Sequence, residues 1–399
     1  MDSFGLGLLL IPLLAVLAPL LTRALSRWVR VPIAVFELAL GILIGPALLG
    51  LVAANGTLDL FAEFGLAMLF FMAGSEIEPS SLAGRAGRLA VGGWVLGLVV
   101  AMAAAMIFLP LEAAVVVAIA LTSTALGTLL PILRDADELG TPFGRAISAI
   151  GAVGEFGPLV AISIFLGGRD PGISTIVLAA FFGIGAIAIA LAIWLPRGKL
   201  HGVVSATLHT SGQFAIRVVL LILAALVVVS LVFDLDMLLG AFVAGIVWRL
   251  LMRDAPEPAR VAVESKVEGI AFGFLVPIFF IMTGIEFDLQ GLLDQPLLFI
   301  GVPIVLVIML VVRGLPSMLV APPRSSARDR WSIALLGATG LPIIVAVTAI
   351  GVDAEVISSA LASVLVAGGM LSVLLLPLIG MALRGERARV AMPLEDDLV

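Results

Sequence analysis

The 399-residue chain is 62% hydrophobic and 13% charged, with a mean hydropathy of +1.25, and apolar runs of about 20 residues recur along its length. This excludes an ordinary water-soluble domain and defines a polytopic membrane protein, in which the formal charge of −6 matters less than where the charges fall. With no cysteine there is no disulfide, thiolate catalysis or thiol-ligated metal, and the two histidines, His201 and His209, share one polar connection, which argues against a transition-metal site.

The first apolar run, 4–21, has no basic residue before it and Arg23, Arg27 and Arg30 after it, and reads as a retained anchor rather than a cleaved leader. Twelve more spans are predicted at 32–53, 57–75, 88–109, 112–133, 143–167, 173–195, 213–232, 236–251, 268–285, 297–320, 330–350 and 355–383. The fold class is therefore all-α, with thirteen transmembrane helices. The last span is long enough to tilt, or to kink at Gly368 and Gly369, and the tail after it is too short to fold as a domain. Lys and Arg crowd into the connections after odd-numbered spans and into the tail. Arg169 stands alone on the other side, and Arg313 falls inside the eleventh span. Positive-inside logic then places the N-terminus outside and the C-terminus in the cytoplasm.

An internal repeat is visible. Met72-Ala73-Gly74-Ser75-Glu76, with Leu82 beyond it, ends the third span; Met282-Thr283-Gly284-Ile285-Glu286, with Leu292 at the same distance, ends the tenth. Gly41 to Gly45 in the second span resembles Gly240 to Gly245 in the ninth. Both pairs are seven spans apart, and an odd offset inverts the second copy, as in many secondary transporters. The expected organisation is a first repeat at 1–167, a linker span and connection at 168–212, a second repeat at 213–383 and the tail from 384. Small residues also recur in packed membrane helices for steric reasons alone, which is the competing reading of either pair taken singly.

Under the repeat, the fifth span corresponds to the twelfth, and each carries helix breakers near its middle. One reads Leu121-Thr122-Ser123-Thr124-Ala125-Leu126-Gly127, with Pro131 after it; the other reads Gly337-Ala338-Thr339-Gly340-Leu341-Pro342. Such segments predict discontinuous helices whose freed backbone groups line a site. Ser, Thr and Gly are equally ordinary helix-packing residues in membranes. The stretch 141–167 then places Glu155 at the centre of an apolar helix, where a charge costs roughly 3 kcal/mol and marks a functional candidate by default.

These stretches resemble a family, the monovalent cation:proton antiporters of the second group, related to bacterial sodium/proton antiporters and potassium-efflux systems. The resemblance is carried by Leu38 to Gly50, Glu63 to Leu82, Thr122 to Leu133, Thr141 to Leu159 and Pro277 to Leu289. It implies thirteen helices, two crossed broken helices in a core domain, a homodimer, and alternating access by movement of that core against a dimerisation domain. It also implies that Glu155 stands where the family has its ion-binding Asp, and Gly154 where the family has Asp, Asn or Gln. Arg313 matches the basic residue of the span beside the broken helix, and Glu63 a common Glu of the third span. Unlike the potassium-efflux branch, the chain shows no nucleotide-binding regulatory domain. No cofactor and no nucleic-acid partner are implied.

The chemistry expected of the site is simple. Burial and a nearby guanidinium act on Glu155 in opposite senses, so its carboxylate can exchange a proton for a cation. Either ligand neutralises one negative charge, which predicts electroneutral one-for-one exchange of Na+ or K+ for H+. Thr122, Ser123, Thr124 and Thr339 are candidate oxygen ligands, with Gly340 and Pro342 shaping the second break. The opposing reading of Glu155 and Arg313 is a static buried ion pair stitching two helices together. Glu63 is expected to serve as a structural partner for Arg313 or for a half-helix N-terminus. A second function on the same scaffold is an exporter, or sodium-coupled carrier, of an organic anion or ionophore, with Arg313 gripping a carboxylate and Gly154 enlarging the pocket. An intramembrane enzyme is disfavoured by the lack of an HExxH motif, paired membrane aspartates or a Ser/His pair, and a sensor by the lack of a soluble reader domain.

Overall fold

The computed structural model describes residues 3–25, 31–77, 84–166, 171–194, 213–253 and 255–384, and among these there is no β-strand. Among the described residues, ten helical segments are long and apolar enough to cross a membrane. Three shorter apolar helices, Ile33–Ile44, Gly172–Gly183 and Met237–Met252, bring the number to thirteen, at the places the hydropathy pattern predicts. His201, His209, the connection at 195–212 and Leu82 lie outside the described residues, as does the tail from 385.

The chain divides into two compact units. The first takes residues 1–77, 158–294 and 358–363, and the second 78–157, 295–357 and 364–399, so each draws on both halves of the sequence.

In the first unit, α1 (Ser3–Leu25), α2 (Ile33–Ile44) and α3 (Gly56–Glu76) come from the start of the chain. The span expected at 32–53 is shorter as a helix: Gly45 turns to extended backbone (ψ 176°) directly before Pro46, whose ring disfavours helical geometry in the residue preceding it. After α8 (Pro171–Trp194) come α9 (Phe214–Val232) and α10 (Met237–Met252). The polar helix α11 (Glu257–Ile270) starts behind Pro256 and runs through a π turn, Ala271–Leu275, into α12 (Val276–Glu286). Much of the hydrophilic stretch expected as a connection is thus a helical extension of the tenth span.

Glycine sets two close helix approaches in this unit. A Cβ on Gly41 or Gly284 would collide with the backbone of α12 or α2, at Ile281 O and Leu38 O respectively. A Cβ on Gly74 or Gly245 would collide with the backbone of α10 or α3, at Phe242 O and Phe71 O. Lacking a hydrophobic drive between helices in lipid, such contacts associate them by van der Waals fit. Arg249 near the end of α10 donates to Ser75 O at 2.8 Å and closes the carbonyl end of α3. Ile11, Leu14, Ile44, Leu58, Ile278, Ile281 and Ile285 form the apolar core alongside.

The second unit contains α4 (Gly84–Ala105), the half-helices α5 (Leu111–Leu121) and α6 (Leu126–Asp135), and α7 (Pro142–Phe165) as far as Gly157. Further along, α13 (Leu298–Met309) passes through a second π turn, Leu310–Gly314, and a short helical stretch to Val320. The half-helices α14 (Ala327–Gly337) and α15 (Pro342–Asp353) precede α16 (Ser359–Arg384). Both interruptions predicted from Gly, Thr and Pro are therefore present. No interruption occurs at Gly368 and Gly369: α16 is continuous there, and these glycines admit Val305 and Gly340 O at close range.

Candidate functional site

The second unit is organised around two four-residue interruptions, 122–125 and 338–341, which touch each other. Ala125 N donates to Thr339 O at 2.7 Å, and a Cβ on Gly340 would stand 2.9 Å from Ser123 Oγ. Both breaks are sealed from solvent, with Thr122, Ser123, Thr124 and Thr339 all 0–1% exposed. Pro342 opens α15 at a position where its missing N–H removes nothing from the helix. Ser372 of α16 closes the second break: its hydroxyl accepts from Gly340 N at 3.1 Å and lies within donating distance of Gly340 O (3.0 Å) and Gly369 O (2.7 Å).

Glu155 meets the first break. Its Oε1 accepts from Leu126 N at 2.8 Å and Gly127 N at 3.4 Å, the first amides of α6. Four N–H groups at a helix start lack partners within the helix, and the dipole places positive charge there, so a buried carboxylate is stabilised. Glu155 is 5% exposed. Gly151, one turn earlier on α7, lets Leu126 pack closely enough for this contact.

Arg313 reaches the same turn of α7. It is 1% exposed and sits in the π turn; Nε donates to Thr124 Oγ1 at 2.8 Å and Nη2 to Ile150 O at 2.6 Å. Its hydrogen bonds thus go to the first break and the α7 backbone. α4 presents Gly97 to Val312 O and Gly93 to Pro316 O, which lets the π turn lie flush against it. π turns recur at functional sites because the extra residue re-aims a side chain.

The space expected at Gly154 is occupied. A Cβ there would stand 2.5 Å from Thr124 Cβ and Oγ1 and 2.6 Å from Arg313 Nη2, so the glycine admits protein rather than enlarging a pocket. Glu63 belongs to the first unit, where it lies on the exposed face of α3. The structure does bring together Glu155, Gly154, Thr124 and Arg313, with Ser123 and Thr339 at the meeting of the breaks. Sequence reasoning missed Ile150, which acts through its carbonyl, and Ser372, an ordinary serine in an apolar helix; neither carries a signal in its side-chain type. Among the described residues no group of His, Asp and Glu is placed to hold a resident metal ion.

One buried carboxylate and one buried guanidinium are thus set among interrupted apolar helices. Comparison with known proteins agrees with this architecture. The sodium/hydrogen exchanger transmembrane profile matches residues 13–382. YjbQ of Bacillus subtilis, a protein named for Na+/H+ antiport, is 23% identical over 393 residues, covering 93% of this chain and 62% of the relative. The Na+/H+-K+ antiporter GerN of Bacillus cereus is 29% identical over 306 residues, covering 71% of this chain and 72% of GerN. The solved sodium proton antiporter MjNhaP1 of Methanocaldococcus jannaschii superposes with a TM-score of 0.69 at 17% identity, covering 98% of this chain and 99% of that one. The chain is a member of the transmembrane sodium/hydrogen exchanger family.

Proposed function

We propose that the protein is a secondary active transporter that exchanges a monovalent alkali cation, Na+ or K+, for H+ by competition at Glu155. The observation that carries this reading is the Glu155 carboxylate, buried in the second unit and held on the first two amides of α6. A carboxylate in that position is neutralised equally by a proton or by one alkali cation, and the fixed Arg313 charge does not change between the two states. Exchange is then one for one and electroneutral. Thr122, Ser123 and Thr339 supply oxygen ligands in this scheme: their hydroxyls donate back to Ala118 O, Ala120 O and Leu335 O, leaving oxygen lone pairs for a cation. GerN and the glutathione-regulated potassium-efflux protein KefC, 26% identical over 313 residues, carry names that span Na+ and K+, so both ions belong in the assay.

The same reading places the protein in the cell or inner membrane, N-terminus outside and C-terminus in the cytoplasm, as a homodimer working by alternating access. It keeps the two inverted repeats, since Gly41–Gly284 and Gly74–Gly245 are the contacts that a swap of the second span with the ninth, and the third with the tenth, would pair. Nothing favours an organic anion at Arg313, because its guanidinium is 1% exposed and bonded to protein.

The test is proton release from proteoliposomes on adding Li+, Na+, K+ or Rb+. Glu155→Gln should abolish it while leaving folded protein, since Gln keeps an acceptor for Leu126 N. Exchange retained by this variant rejects the assignment, and a current whose reversal potential depends on both ions rejects the stoichiometry.

A further inference from the structure

We infer that Thr124 is a positioning residue for this exchange, not a cation ligand, and that Gly154 is the seat it requires; the inference rests on Glu155 being the exchanging carboxylate. A threonine hydroxyl has one proton to donate and two lone pairs. Thr124 donates its proton to Gly337 O at 2.6 Å, across to the second break, and accepts from Arg313 Nε at 2.8 Å. Its amide donates to Gly154 O at 3.0 Å, and its Cβ lies against the bare Gly154 Cα where any side chain would intrude. One residue therefore joins the first break, the helix of Glu155, the second break and the buried guanidinium.

The other three hydroxyls of the breaks differ. Those of Thr122, Ser123 and Thr339 donate to carbonyls of their own half-helices, and none accepts from a charged group. An oxygen already accepting from a guanidinium 2.8 Å away is a poor ligand for a second positive charge, because the two cations repel. What Thr124 does instead is aim charge. Gly337 ends α14, so its carbonyl belongs to the negative end of that half-helix, and Thr124 relays the Arg313 charge to it. On its other side, Thr124 lies two residues before Leu126, whose amide fixes Glu155 Oε1. Loss of the hydroxyl strands a guanidinium N–H and a carbonyl in the bilayer interior and loosens the amide pair beneath the carboxylate.

A positioning role and a ligand role predict different results. Full-length protein carrying Thr124→Val, which keeps the shape and loses the hydroxyl, is compared with Thr124→Ser and wild type for proton release on adding Li+, Na+, K+ or Rb+ across a pH series. Thr124→Val should raise the half-saturating concentration of every accepted cation by one common factor, about tenfold or more. It should also move the pH profile and leave the ratios between cations unchanged. Thr124→Ser should return both to within about threefold of wild type, as expected for retention of most of one charged hydrogen bond. Altered ratios with an unmoved pH profile would make Thr124 a ligand and overturn the inference, as would a Thr124→Val indistinguishable from wild type. If Thr124→Val is not recovered folded, Thr124→Cys, which keeps the size and only a weak donor, replaces it with the same expected direction and the same overturning results. Wild-type protein separates the two levels: no cation-dependent release from it rejects exchange at Glu155 and this inference with it, whereas normal wild-type release beside an unaffected valine variant rejects only the role of Thr124.

Discussion

Gly154→Ala tests how closely the first break and α7 are fitted. In an open helix the change is favourable, because Gly carries about 0.5–1 kcal/mol of conformational penalty relative to Ala. At Gly154 the new Cβ would stand 2.5 Å from Thr124 Cβ and Oγ1 and 2.6 Å from Arg313 Nη2, roughly 1 Å inside ordinary carbon contact. Thr124 is rooted in the break by its bonds to Gly337 and Gly154, and the guanidinium is wholly buried, so neither yields cheaply. Overpacking of this kind costs about 1–3 kcal/mol. Displacing the guanidinium from Ile150 O forfeits a charged hydrogen bond worth about 1.5–3 kcal/mol more. Against a gain of about 0.5–1 kcal/mol, the expected net effect is a loss of roughly 1.5–5.5 kcal/mol. Gly92, in α4 of the same unit, has nothing within 4 Å of its Cβ position and serves as the control. Thermal unfolding of the purified protein should show Gly154→Ala well below wild type and Gly92→Ala at or above it, with cation-dependent proton release impaired only in the former. A Gly154→Ala protein as stable and as active as wild type would refute the close fit.

Under the proposed competition at Glu155, the half-saturating cation concentration should rise about tenfold per pH unit as pH falls below the carboxyl titration, which the proteoliposome assay reads directly. At the end of α16, Arg384 binds Glu138 through Nε and Nη2 at 2.8 and 3.0 Å and Asp329 through Nη1 at 2.8 Å, over the Phe143 ring at 4.1 Å. Arg384→Ala should therefore cost about 2–4 kcal/mol in thermal stability, somewhat under a fully buried pair because Arg384 keeps 17% exposure. Asp236, in the connection before α10, caps that helix through Leu238 N at 2.8 Å, and burial holds its carboxyl above the ordinary aspartate range despite that bond. The folded protein then holds this proton to higher pH than the unfolded chain, so its stability contribution falls as pH rises through that interval. Asp236→Asn, an equally good cap, should flatten this part of the stability–pH curve, and an unchanged curve would reject the assignment.

Glu155 and both helix interruptions were legible because each breaks a local rule: a charge in an apolar helix, and Gly, Thr and Pro in mid-span. The span count was legible because basic residues alternate from one connection to the next. What was hidden depends on contacts distant in sequence. Thr124 reads as an oxygen donor until Arg313, 189 residues on, is seen to bond it. Gly154 reads as a missing ligand, and only the built backbone shows that Thr124 and Arg313 fill its space. Glu63 follows a resemblance, yet its side chain faces outward from α3. Glu138 lies in the connection between α6 and α7, Asp329 in the first turn of α14 and Arg384 at the end of α16, in polar sequence that gives no hint of one cluster.

The π turn at Leu310–Gly314 holds one residue more than a regular helical turn. Deleting a single residue from it would restore an ordinary helix: the wide turn absorbs the extra residue, so the flanking segments would keep their register while the side chains within the turn are re-aimed. The bearing of Arg313 is thus encoded in the length of its span as much as in its identity. A homologue that keeps the arginine but lacks the insertion would direct its guanidinium elsewhere, so gap placement in an alignment becomes a functional character in its own right.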